Sequence, residues 1–264
     1  MTAIGSALEK NPFGEILGNS SYAMWRDEKI VSALDDERQI SPLAKRVHGE
    51  FRSFVLDSEF PCIGAKAAIN GNCYRFGFYE EMNSPASNRD LAHDLWEYAR
   101  EQASFDSHYS TFIASFAAPR VEDEIAWENM LWAQLQSLNE LDSRFHEWSP
   151  KVSGDPNEPG FAFSFAETAF FIVGLHPASS RLSRRFGWAT LVFNLHEQFE
   201  RLREENQFER MRQTIRMRDL RLQGSLNPNL SDFGKKSDAR QYSGRAVEAN
   251  WKCPFHRFMN DKKD

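Results

Sequence analysis

Cysteine is scarce, a basic excess is missing, and no apolar run is long enough to cross a bilayer; each shortage removes a class of protein. Cys62, Cys73 and Cys253 are the three cysteines. They lack the dense, even spacing of a secreted disulfide framework, so a reduced, cytoplasmic setting is expected. Thirty-two lysines and arginines face 38 aspartates and glutamates, for a formal net charge of -6. Binders of nucleic acid and of anionic membranes carry the opposite balance, so neither is an expected partner. The N-terminal region has no basic segment followed by an apolar stretch, and no uninterrupted apolar run approaches about twenty residues, so no targeting or membrane segment is expected. Familiar motifs are missing too: there is no Walker phosphate loop, dinucleotide GxGxxG after a strand, GxSxG elbow or HExxH. Cys253-Pro254-Phe255-His256 is half of a zinc site at most, because Cys62 and Cys73 are solitary.

Aromatic residues, by contrast, are plentiful, with 22 Phe and 7 Trp in 264 residues. They suit a thick core or a pocket for a large planar ligand. The pattern predicts an α+β fold: a mainly antiparallel sheet flanked by helices, in a single domain over residues 1–264. An irregular arm (1–40) with a short helix near Glu28 to Leu34 comes first. Ser41-Pro42 opens a helix carrying Leu43, Val47, Phe51 and Val55 on one face. A loop from Phe60 leads to strands Ala67 to Asn70 and Cys73 to Tyr79, with Gly71-Asn72 as a hairpin turn. Ser84 to Asn88 reads as a loop before a helix through Leu91, Leu95 and Tyr98, with His93 and Trp96 off the main stripe. A strand spans Tyr109 to Phe116. A long helix from Glu122 to Phe145 follows, with Ile125, Leu131, Trp132, Leu135, Leu138 and Phe145 on its apolar stripe. Residues 149–160 and 223–239 read as polar loops, and 240–258 as a segment packed back on the body.

The organising stretch is Phe161 to Phe199. Two apolar runs, 169–175 and 189–193, read as buried strands that end near His176 and His196, with Ser179, Ser180, Arg181, Ser183, Arg184 and Arg185 between them. Such residues suit carboxylates or phosphates. A neutral imidazole binding iron, with arginines and serines on haem propionates and Phe or Trp over the ring, is one reading of the set. A serine hydrolase built on Ser179 or Ser180 lacks the strained nucleophile turn. Histidines that are simply packed remain the bland alternative. Beyond His196 a charged helical stretch carries Arg201, Arg203, Arg210, Arg212, Arg216, Arg218 and Arg221, read as a solvated face with local ion pairs or as a docking surface for an acidic redox partner or anionic ligand.

Six segments carry a family resemblance: Asn11-Pro12-Phe13-Gly14, FPCIGAKAA from Phe60, YRFGFY from Tyr74, GLHPASSRLSRRF from Gly174, FNLHEQFERLR from Phe193 and RQYSGRAVEANWKCPF from Arg240. With these the chain resembles the YqcI/YcgG family of bacterial and fungal proteins, which includes haem-dependent N-oxygenases, an arginine N-hydroxylase among them. The resemblance implies a b-type haem with a histidine axial ligand, hydroxylating an amino or guanidino nitrogen of a small amine, amino acid or guanidine compound. The axial role is carried onto His196; Leu195 stands where the family usually has proline. His176 is the reserve ligand, or a group near a propionate or the distal face, and Cys253 is a third candidate as thiolate. Arg181, Arg184, Arg185 and Arg245 are the candidates for propionate or substrate carboxylate, with Ser179 and Ser180 adding hydrogen bonds. The electron source, a reductant through a redox partner or peroxide, stays open. A haem sensor or carrier without turnover and a structural or partner-binding protein are the alternatives.

Overall fold

The computed structural model describes residues 10–14, 22–105, 107, 109–229 and 236–258. A seven-stranded sheet among these residues runs in the order β2-β1-β3-β4-β7-β6-β5. Its strands are β1 (Ala23–Arg26), β2 (Lys29–Ser32), β3 (Tyr74–Glu81), β4 (Thr111–Ala118), β5 (Phe163–Phe165), β6 (Thr168–Leu175) and β7 (Ala189–Leu195). Every pairing is antiparallel except β3 with β4, which is parallel. That pair needs a crossover, and helix α3 (Pro85–Glu101) makes it. The α+β expectation holds.

Alternation along the strands sorts side chains to two cores. Phe112, Phe170 and Phe193 pack on one face against α3 and α4 (Glu124–Asp142), together with Trp127, Leu131 and Leu135. On the other face Tyr74, Phe76, Ile113 and Val192 meet α1 (Pro42–Leu56) and α2 (Ile63–Asn70) through Val47, Phe51 and Ile69. At Gly174 an added Cβ would lie 2.7 Å from Leu131 Cδ1 and 2.9 Å from the Trp127 ring, so α4 seats against β6 only because no side chain stands there.

Several local expectations are corrected. Residues 23–32 form a β-hairpin, not an arm with a helix; Asp27 and Glu28 turn it at φ 51° and 57°, a conformation usually given to Asn-Gly, so no turn signal marked it. The arm's residues 1–9 and 15–21 lie outside the described residues, and so do 230–235 of the second loop. Ile63–Asn70 is helical: Cys62 Sγ accepts from Ala65 N at 3.4 Å, and the Gly71 N–H donates to Ala67 O, so the hairpin at Gly71-Asn72 does not exist. Alanine-rich AKAA favours this helix. Helix α3 starts inside the expected loop, because Ser84 caps it at Ser87 N with Pro85 in the first turn, and His93 and Trp96 are buried within it. Leu43 and Ile125 are exposed, so the α1 and α4 stripes are narrower than their periodicity indicated, and α4 ends at Asp142, leaving Phe145 exposed beyond it.

After β7 the chain runs into α5 (His196–Glu204) and α6 (Phe208–Gln223), then a short α7 (Ala239–Tyr242). Residues 243–258 return over the first core. Trp127 Nε1 donates to Ser243 O at 3.0 Å, Phe258 N donates to Asn139 Oδ1 at 2.7 Å, and Cys253 and Phe255 are buried. No helix among the described residues is long and apolar enough to cross a membrane.

Candidate functional site

Strand β7 hands over to α5 without a spacer: Leu195 is the cap residue, at φ -60° and ψ 127°, and His196 is the first helical residue. A side chain here is fixed by a sheet on one side and opens past the helix on the other. The imidazole is mostly buried, and its Nε2 lies 3.8 Å from Glu200 Oε1 one turn on. Burial lowers its pKa, Glu200 opposes the shift and Arg203 adds to it, so the neutral ring, the form that binds metal, is favoured.

His196 borders a cleft of about 190 Å³ between β6, α5, α6 and α7. Helical spacing builds the cleft. Phe199 and Arg203 follow His196 at three and seven residues, and Phe208, Met211, Arg212, Ile215 and Arg216 follow the same rule on α6. Phe171 of β6 closes the floor and meets Phe199 edge-on at 5.8 Å. Arg203 lies over the Phe208 ring at 4.4 Å and pairs with Glu200 at 2.5 Å. Arg216 has a buried Nε–H without a hydrogen-bond partner. Opposite the cations stands Asp238, whose carboxyl burial pushes up to about 6 against the pull of Arg203 and of the Gln241 amide, which donates to Oδ1 at 3.0 Å. His196 also borders a second cavity of about 630 Å³, on the side of Glu200, Glu197 and Lys151.

Neutral imidazole, aromatic walls and guanidiniums in one cleft are the residue types that would hold a haem, with a nitrogen for iron, apolar contact for the ring and cations for propionates, of which Arg203 and Arg212 already pair with Glu200 and Glu209. Among the described residues no group of three or more His, Cys, Asp or Glu stands ready for a bare metal ion. A porphyrin-held iron needs one imidazole only. The residue chemistry fits the group. The cleft, at about 190 Å³, is below the roughly 300–1,000 Å³ of small-molecule pockets, while the second cavity bordered by His196 is about 630 Å³.

Family comparison places this cleft in context: the model of the YqcI/YcgG family matches residues 51–256. The chain belongs to the YqcI/YcgG family. No match was found among the curated proteins or among the solved structures. In this YqcI/YcgG protein the matched span holds both histidines and the whole cleft, and the β1–β2 hairpin precedes it.

The remaining sequence-derived candidates gather elsewhere. His176 is fully buried at the end of β6, stacked on Trp127 at 5.1 Å, with both ring nitrogens unpartnered. Burial takes its pKa down to about 4. It lines neither cavity beside His196. Ser179 Oγ accepts from Arg181 N, and Ser180 Oγ donates to Glu124 Oε1 at 2.7 Å. Arg181 is ion-paired with Asp219; Arg184, lowered to about 10 by burial, donates to the carbonyls of Gly174, Gln241 and Tyr242; Arg185 Nε donates to Ser179 O. Arg245 is held by Glu128 at 2.7 Å and Glu248 at 2.8 Å. These four arginines brace the β6–β7 loop and the returning C-terminal segment, away from the cleft. Cys253 is buried and lines neither cavity, and burial pushes its thiol up to about 12, so the thiolate that iron would need is disfavoured. Arg203, Arg212 and Arg216, expected as part of a solvated or anion-docking face beyond His196, line the cleft, and Asp238, which carried no expectation, joins them. The first three share a helical face with His196 or Phe208, a spacing signal that was available; Asp238 had none.

Proposed function

We propose that this protein is a haem-dependent N-oxygenase that hydroxylates an amino or guanidino nitrogen of a small amine or amino-acid-like compound. The observation that carries the reading is His196: a neutral imidazole on a rigid strand-to-helix junction, opening into a cleft with aromatic walls and arginines. Within it, His196 holds the iron, and Phe171, Phe199 and Phe208 exclude water. Arg203, Arg212 and Arg216 neutralise carboxylates, those of the propionates or of an amino-acid substrate. When bound, haem supplies the oxidising power that puts an oxygen atom on nitrogen, with peroxide or a reductant and dioxygen as co-reactant. An ammonium or guanidinium must shed a proton before its nitrogen reacts, and the Asp238 carboxylate, ionised above about pH 6, is placed to take it. The three free cysteines support a reducing, cytoplasmic setting.

The test is the absorption spectrum of haem-reconstituted protein beside His196→Ala and His176→Ala, followed by a search for hydroxylated products from amines, amino acids and guanidines. A stoichiometric Soret band lost or shifted in His196→Ala alone, with an N-hydroxylated product, is the expected result. Wild-type protein that takes up no haem sinks the proposal; haem without product makes it a carrier or sensor.

A further inference from the structure

Phe171, the floor of the cleft, is the first ring of a file that leads to the surface. Tyr242 meets it edge-on at 5.5 Å, Trp132 stacks on Tyr242 at 5.6 Å with 19° between planes, and Trp251 lies 6.2 Å beyond Trp132. Tyr242 and Trp132 are buried, whereas Trp251 is half-buried on the returning C-terminal segment. The chemistry changes along the file. Phenylalanines line the cleft itself, and phenylalanine resists one-electron oxidation; the three residues behind them are the two amino-acid types that yield an electron from a ring most readily.

Their surroundings differ in what they do with a proton. The Tyr242 hydroxyl donates to Phe170 O at 3.3 Å and accepts from Phe163 N at 3.2 Å, and neither backbone group is a base. Its pKa is raised well above the ordinary value, by burial first and by Asp238 next. With only backbone partners at its hydroxyl, Tyr242 has no base to take a proton as it is oxidised, so it bridges the cofactor and Trp132 without holding the hole itself. Trp132 Nε1 is buried without a partner, so an oxidised Trp132 stays a cation radical and passes the hole on. Trp251 reaches solvent, where its indole proton can leave.

We infer that Tyr242, Trp132 and Trp251 form a hole-escape route, by which an oxidising equivalent made at the cleft without substrate is discharged at the surface. The inference rests on the proposed haem site. Per hole, one electron moves from Trp251 through Trp132 and Tyr242 to the oxidised cofactor, generated by peroxide. Trp251 gives its indole proton to water, and the neutral indolyl radical is reduced by an external thiol, which returns one electron and one proton.

The experiment treats haem-loaded protein with hydrogen peroxide in the absence of amine, freezes it for electron paramagnetic resonance, and maps oxidised residues by peptide mass spectrometry. Wild type is expected to show a tryptophan radical and oxidation at Trp251. Trp132→Phe keeps the stacked ring but breaks the route: the Trp251 signal should fall and haem bleaching should rise several-fold. Trp251→Phe should accelerate bleaching likewise and leave the hole on Trp132. Trp188→Phe, on the opposite core, serves as control and should match wild type. Soret intensity before peroxide reports haem loading in each variant. Wild-type radical position and bleaching rate in a haem-loaded Trp132→Phe would overturn the route and leave the N-oxygenase reading intact; failure of wild type to load haem overturns both.

Discussion

Asp238 faces a wall of guanidiniums yet holds its proton to about pH 6, because burial outweighs Arg203. A carboxyl raised in the folded state stabilises fully below its ordinary value, and that contribution is lost as pH rises from about 4 through 6. Asp238→Asn should therefore leave the stability of the ligand-free protein unchanged near pH 4 and raise it at pH 7.5 by about 2 kcal/mol after discounting for partial exposure, with a higher melting temperature there. Thermal scans at the two pH values decide it. At this scale His196 was legible in the sequence, because a histidine closing an apolar run before a charged helix is a local pattern. The arginines between the two histidines, Arg181 to Arg185, were legible as a cluster but not in their role. Whether a guanidinium meets a ligand or a carbonyl depends on which surfaces later fold over it, here α6 through Asp219 and α7 through Gln241 and Tyr242. Nothing local records that.

Among the elements, the helix opened by Ser41-Pro42 and strands of continuous aromatic and β-branched residues could be read directly, whereas the same Ser-Pro start of α3 at Ser84-Pro85 was hidden in a polar stretch. Elements carried by unusual turns could not be read this way. Both two-residue hairpins, Asp27-Glu28 and Ala166-Glu167, put non-glycine residues at positive φ, 51° and 57° in the first and 48° and 59° in the second. The flanking strands hold the turns in place against their own preference. Glu28→Gly should remove part of that cost and stabilise the protein by about 1 kcal/mol, a net figure after the added freedom of the unfolded chain. Urea denaturation reads it; a loss of stability would mean that Glu28 makes a contact outweighing its backbone strain. Helix α2 was misread for a different reason: eight residues with two small apolar runs satisfy either period, and the deciding feature is a cysteine acting as cap.

Over the whole molecule, the C-terminal segment is tied to α4 by a buried charge pair. Arg245 donates to Glu128 through both Nε and Nη2, and Ser243 Oγ donates to the other oxygen of Glu128. Arg245→Met leaves the Glu128 carboxylate buried without its cation and should cost about 3 kcal/mol, whereas Glu128→Gln combined with Arg245→Met should recover much of the loss. Chemical denaturation of the single and double variants measures both. If the single variant is as stable as wild type, the segment is held by Trp127, Phe255 and their neighbours alone. The architecture class was legible because sheet patterning survives small errors in register and length. The order of strands was not, since adjacency in this sheet joins residues far apart in the chain.

The long-range antiparallel pairing of β4 with β7 has a consequence in time. Strand β4 is central, with β3 on one side and β7 on the other, and Phe112 faces Phe193 across a separation of eighty-one positions, the difference between their numbers. During synthesis β3, α3 and β4 can meet early, but one long edge of β4 waits bare until residues 189–195 emerge. The loop that must close is long, and long-range pairing is the slow part of folding. A growing chain thus carries an open, apolar strand edge through much of its synthesis, the feature most exposed to wrong partners. His196 follows β7 directly, so the cleft forms only after that edge has been covered.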